Sequence, residues 1–77
     1  MRVTPIRLKR INAGINCDEA ISMLGISKSM LYKIEIGNRS PSKNVIAKMS
    51  ELYKCPVDDI FKAIKITRKL DKGVDKV

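Results

Sequence analysis

The stretch "GINCDEAISMLGISKSMLYKIEIGNRSPS", residues 14–42, holds two helical patterns separated only by Gly25, Ile26 and Ser27. The first opens at Asn16, a favourable cap, and places Asp18 and Glu19 in its first turn, where the helix dipole favours anions. Ala20, Ile21 and Leu24 turn inward, and Gly25 ends the helix. Ser27 caps the second pattern, which runs through about Ile36 and closes at Gly37, with Leu31, Ile34 and Met30 as its buried stripe. So short a turn, with a glycine able to take a left-handed conformation, forces two helices to cross steeply.

Working outward, Thr4 before Pro5 marks a first helix over about 5–13, with Leu8, Ile11 and Ile15 as its recurring apolar positions and Gly14 as its stop. Beyond Pro41, Ser42 caps a fourth helix in which Val45, Ile46, Met49, Leu52 and Tyr53 share one side, and Pro56 bars its extension. Val57 to Ala63 forms a short fifth helix whose Ile60 and Phe61 are expected to plug the core. Residues 64–77 differ: "IKITRKL" alternates like a strand and gives way to "DKGVDKV", so the expectation is a basic tail, disordered or pairing in a dimer. The fold expected is all-α, with five helices over residues 1–63 followed by that tail.

Composition limits the chemistry. The chain of 77 residues suffices for one domain, and its hydrophobic fraction of 44% argues for a folded one. There is no histidine, there are two isolated cysteines, and the carboxylates are scattered, so neither a metal centre, a cofactor site nor a nucleophile–base pair is expected. An enzyme is not expected. No apolar run approaches the roughly 18 residues a membrane span needs, and Met1 to Arg10 has no signal-peptide core, so a cytoplasmic protein with reduced thiols is expected.

The formal net charge of +8 is unevenly spread. Residues 1–10 carry +4, 28–43 carry +3 and 62–77 carry +4, whereas 11–27 and 44–61 carry −2 and −1. This distribution suits a polyanion. With Leu31 and Ile34 inward, Lys28, Ser29, Tyr32 and Lys33 point outward in front of the basic 38–43 loop. Lysine can donate to guanine O6 and N7, serine bonds several base edges, and tyrosine offers a hydroxyl with apolar contact. A helix-turn-helix places such a second helix N-terminus first in the major groove, so these four are the candidate base-contacting residues.

From about residue 6 to 61 the sequence resembles the lambda-repressor-like helix-turn-helix family of phage repressors, Cro proteins and their XRE-type bacterial relatives. "GINCDEAISMLGIS" (14–27) resembles the family's Gly-Leu-Ser-Gln-Glu-Glu-Leu-Ala-x-x-Leu-Gly-Val-Ser, "KSMLYKIEIGNRSPS" (28–42) its Arg-Ser-x-Ile-Ser-x-Ile-Glu-x-Gly-x-Arg-x-Pro-Ser, and "VDDIF" (57–61) its closing helix. The resemblance implies phosphate contacts from Asn16 and Cys17 at the start of helix 2, from Ser27, and from Asn38, Arg39, Ser42, Lys43 and Asn44 beyond helix 3. It also implies an ion pair between Arg10 and Glu35. Three departures stand out. Cys17 replaces the usual glutamine, Ala20 and Ile21 look exchanged, and Lys54-Cys55 replaces Gly-Val, which makes Cys55 a small buried apolar residue.

The expectation is a sequence-specific double-stranded DNA-binding transcriptional regulator, a small stand-alone repressor of the Cro type. One module binds weakly, so a homodimer on a palindromic operator is expected, with Phe61 to Leu70 as its candidate interface. The alternative is an antitoxin-like module that binds a protein partner through its tail and also controls its own promoter.

Overall fold

The computed structural model describes residues 3–75, with side-chain burial through Leu70. Every regular element among the described residues is a helix: α1 (Pro5–Asn12), α2 (Cys17–Leu24), α3 (Lys28–Ile36), α4 (Lys43–Leu52) and α5 (Val57–Asp75). The first four begin on side-chain caps. Thr4, Asn16, Ser27 and Ser42 accept from the backbone N–H of Arg7, Glu19, Met30 and Val45. At α2 the cap is reciprocal, because the Glu19 side chain returns to the Asn16 N–H.

The core is a single cluster drawn from all five helices. It contains Ile6, Ala20, Leu24, Leu31, Ile34, Ile46, Met49, Tyr53, Ile60, Ala63 and Ile64. The α5 helix packs against α1, α3 and α4, while α2 lies between α3 and α4. The Cα radius of gyration is 11.5 Å, matching the roughly 11–12 Å of a compact chain of this length.

Three features depart from the sequence pattern. In α1, Leu8 and Ile11 are exposed and Ile15 is only half-buried, whereas Ile6 and Arg10 are buried. An i, i+4 pair headed by an arginine thus replaces the expected apolar stripe. It does so because Arg10 spends its charge inside the fold, which turns Leu8 and Ile11 to the opposite side of the helix. Phe61 is 47% exposed and does not plug the core. The third departure is α5, which continues as one helix to Asp75 in place of a strand-like or disordered tail.

The α5 continuation has a plain cause. Ile60, Ala63, Ile64 and Thr67 recur at i, i+3, i+4 and i+7, and all four are buried. Thr67 is fully buried because its hydroxyl donates to the Ala63 carbonyl at 2.7 Å and accepts from the Ile6 N–H at 3.3 Å. A polar residue at a core position masked the helical period. Residues 76 and 77 of the expected tail lie outside the described residues.

Candidate nucleic-acid interface

The interface is built on the turn between α2 and α3. Gly25 takes φ 69° and ψ 34°, the left-handed region that favours glycine, and the N–H groups of Gly25 and Ile26 return to the Ile21 carbonyl at 2.9 and 3.2 Å. Ile26 tucks against the core, and Ser27 immediately caps α3 with an Oγ contact of 3.0 Å to the Met30 N–H. Three residues therefore reverse the chain and start the next helix.

On α3, Leu31, Ile34 and Glu35 are buried, and Lys28, Ser29, Tyr32 and Lys33 are all exposed. Tyr32 has 48% of its surface free. The four exposed residues form two i, i+4 pairs, 28/32 and 29/33, and so present cations, hydroxyls and one aromatic along a single side.

The helix ends by fixing the loop beyond it. Gly37 is left-handed at φ 91°, its N–H reaches the Ile34 carbonyl at 3.2 Å, and the N–H groups of Asn38 and Arg39 both reach the Lys33 carbonyl, at 2.9 and 3.2 Å. This double closure holds the loop backbone at the last basic residue of the exposed side. Asn38, Arg39, Ser42, Lys43 and Asn44 are exposed, whereas Pro41 is buried and anchors the loop.

Asn16, Ser27 and Ser42 share a double capacity. Each spends an oxygen lone pair on its own helix, at 2.8, 3.0 and 3.3 Å respectively. Each still has a hydrogen to donate outward, from an amide or a hydroxyl. All three are exposed beside free N-terminal amides, the arrangement that suits phosphate oxygens.

A cleft of about 130 Å³ gathers Arg7, Cys17, Lys28, Leu31, Tyr32 and Glu35. It brings half-buried Cys17 to Lys28 and Tyr32, and adds Arg7, which the sequence marks only as part of the basic segment 1–10. Only the burial phase of α1 would have revealed it. With Ile6 and Arg10 inward, Arg7 lies between the core and the surface on the side of α3.

Behind this face Arg10 and Glu35 form a buried ion pair, Nε to Oε2 at 2.7 Å, with both side chains about 6% exposed. The Glu35 hydrogen bond raises the Arg10 pKa above its ordinary value, more than desolvation lowers it. The pair lies at the back of the cleft, so the little of Glu35 that lines it is a neutralised carboxylate. Thr4 also donates its hydroxyl to the Glu35 carbonyl, which ties the start of α1 to α3. The exchange at 20 and 21 is accommodated. Fully buried Ala20 occupies the core, and Ile21 packs half-buried at its edge. Cys55 is likewise half-buried at the core edge, and both cysteines are free thiols.

No group of histidine, cysteine or acidic side chains among the described residues is arranged to hold a metal ion. No described helix is long and apolar enough to cross a membrane. No curated protein and no solved structure matches the chain. A family model described as a helix-turn-helix, HTH_3, matches residues 6–60, from the second residue of α1 to the first turn of α5. By that match, and by the short α2–α3 turn with its exposed basic helix, the chain belongs to the HTH_3 helix-turn-helix family of DNA-binding domains, consistent with Cro- and XRE-type repressors.

Proposed function

We propose that this DNA-binding regulator is a small repressor that reads double-stranded DNA in the major groove with α3 and binds a palindromic operator as a homodimer. The observation that carries the proposal is the exposure of Lys28, Ser29, Tyr32 and Lys33 on a helix whose opposite side is locked into the core. Lys28 and Lys33 suit guanine O6 and N7, Ser29 suits an adjacent base edge, and Tyr32 suits a thymine methyl or a sugar. Asn16, Cys17 and Ser27 on one side, and Asn38, Arg39, Ser42, Lys43 and Asn44 on the other, serve as phosphate clamps that set register.

Cys17 is too short to reach far beyond its own amide. Arg7, in the same cleft, supplies the long cationic arm at that end. A single module of this kind buries only about 600–1,000 Å², so two copies on half-sites about one helical turn apart give the affinity that one lacks. The helical course of α5 separates the candidate pairing residues. Ile66 and Leu70 lie on one flank of its buried stripe and Phe61 on the other, and pairing is assigned to the Ile66–Leu70 flank.

Selection of duplex DNA from a randomised pool at two salt concentrations tests the proposal. An enriched inverted repeat is expected, with half-sites about ten base pairs apart. Salt-sensitive binding with no enriched sequence would reject base readout by α3 and favour an antitoxin-like module that acts with a protein partner.

A further inference from the structure

Apart from the α3 face, the chemistry with the least internal purpose lies on the Phe61 flank of α5. Phe61 is 47% exposed although a helix this well packed had the option of a polar residue there. Ser40, Asp58, Phe61, Lys62, Ile64, Lys65 and Arg68 surround an open groove of about 550 Å³. Its apolar lining comes from Phe61 and the edge of buried Ile64, and its charged lining is cationic, with Lys62, Lys65 and Arg68 opposed, among the described side chains, by Asp58.

The two chemistries together select an occupant. A symmetric contact between two copies places the same patch on both sides, so three cations against one carboxylate leave +2 on each surface and +4 in the contact. A duplex would answer the cations and leave Phe61 and Ile64 without an apolar counterpart. A segment that carries both carboxylates and a large apolar side chain satisfies the cations and the apolar lining at once.

We propose that the groove docks an acidic protein segment, with an aromatic or aliphatic anchor seated on Phe61 and its carboxylates paired with Lys62, Lys65 and Arg68. The expected form is a short amphipathic helix laid in the groove. Ser40 at its edge directly follows Arg39, whose backbone is tied to the last basic turn of α3, so an occupant sits within one residue of the proposed phosphate-clamping loop. The groove is thus a site where a second protein can be recruited to, or can disturb, the DNA-bound regulator.

Selection on the immobilised full chain from a randomised pool of peptides of about 16 residues tests this assignment. Enriched peptides are expected to be rich in Asp and Glu around one or two large apolar residues. Their affinity should fall at least about tenfold in Phe61→Ala and in Lys65→Glu, both exposed positions, and change less than about twofold in Lys33→Ala and Arg39→Ala. Amide resonances of Ser40 and residues 58–68 should shift on peptide addition, while the duplex affinity of the Phe61→Ala chain stays within about twofold. Four results would overturn the proposal: no enrichment, enrichment without acidic bias, peptides sensitive to Lys33 or Arg39 in place of Phe61, or self-association of the chain abolished by Phe61→Ala. The duplex measurement reports on α3 independently, so failure of the groove and failure of DNA readout are distinguishable.

Discussion

Arg10 of α1 and Glu35 of α3 meet through two contacts, Nε to Oε2 at 2.7 Å and Nη2 to Oε1 at 3.3 Å, while Arg10 Nη1 donates to the Ile15 carbonyl at 2.9 Å. One guanidinium thus joins three segments: α1, α3 and the turn that leads into α2. Glu35→Ala leaves that cation buried without its carboxylate, a loss of about 3–5 kcal/mol. Small domains of this size hold only several kcal/mol in total, so the variant is expected to be largely unfolded at 25 °C. Arg10→Met combined with Glu35→Leu removes both charges and should recover most of the loss. Urea melts of the single and double variants decide the matter, and a double variant as unstable as Glu35→Ala would show that the pair does more than neutralise itself.

The proposed reading helix and the proposed clamps should respond differently to substitution. Lys33→Ala is expected to relax preference at one or two base pairs, by about 1–3 kcal/mol at those positions. Arg39→Ala and Arg7→Ala should weaken specific and random duplexes alike and reduce the salt slope by about one unit each. Binding isotherms on operator and scrambled duplexes at several salt concentrations separate the two behaviours. If Lys33→Ala and Arg39→Ala lose equally on both duplexes, α3 is not the reader.

The structure of α5 makes residues 64–70 part of the domain core. A chain ending at Ala63 lacks Ile64 and Thr67, 5% and 0% exposed, and is expected to lose cooperative unfolding. Thr67→Val is the finer test. It keeps the shape but strips the Ile6 N–H of its acceptor, at a cost of about 1–3 kcal/mol. A fully stable chain truncated at 63 would contradict the packing of α5 on α1.

What the sequence revealed and what it concealed divide along a physical line. Caps and glycine stops act locally, through one side chain or one φ angle, so Asn16, Ser27, Ser42, Gly25 and Gly37 placed α2, α3 and the start of α4 without tertiary information. The exposed set on α3 followed from the same local phase. Errors arose where tertiary contacts assigned the buried positions. Arg10 and Thr67 are polar residues whose hydrogen-bonding needs are met inside the fold, and an apolar-periodicity reading skips both. Arg7 and the groove beside Phe61 were hidden for a related reason: each exists only where two or more elements meet.

Lys54 has φ +54°, the one non-glycine residue with positive φ among those described. A side chain there costs about 1–2 kcal/mol relative to glycine. Lys54→Gly should therefore stabilise the domain, by about 0.5–1 kcal/mol once the added freedom of the unfolded chain is subtracted. Lys54→Ala keeps the strain and serves as the control. Equal midpoints for the glycine and alanine variants in denaturant would mean that the backbone at 54 is not held left-handed in solution.

Tyr53 should set an alkaline limit on stability. It is 5% exposed, and its hydroxyl has no hydrogen-bond partner among the described residues. Burial raises its pKa first, and the negative charge of Glu35 raises it further, well above the ordinary value near 10. The unfolded chain therefore releases this proton at a lower pH than the folded one. Stability is fully present below about pH 10 and falls as pH rises toward the folded value. Tyr53→Phe keeps the ring and removes a desolvated hydroxyl, so it should be neutral or slightly stabilising at pH 7. Lysines also titrate at high pH, so the informative quantity is the difference in urea midpoint between the two chains, followed from about pH 8 to 11. That difference is expected to grow in favour of Tyr53→Phe above about pH 10; if it stays constant across the range, the phenol ionises as readily in the folded chain as in the unfolded one and is not sealed in the core.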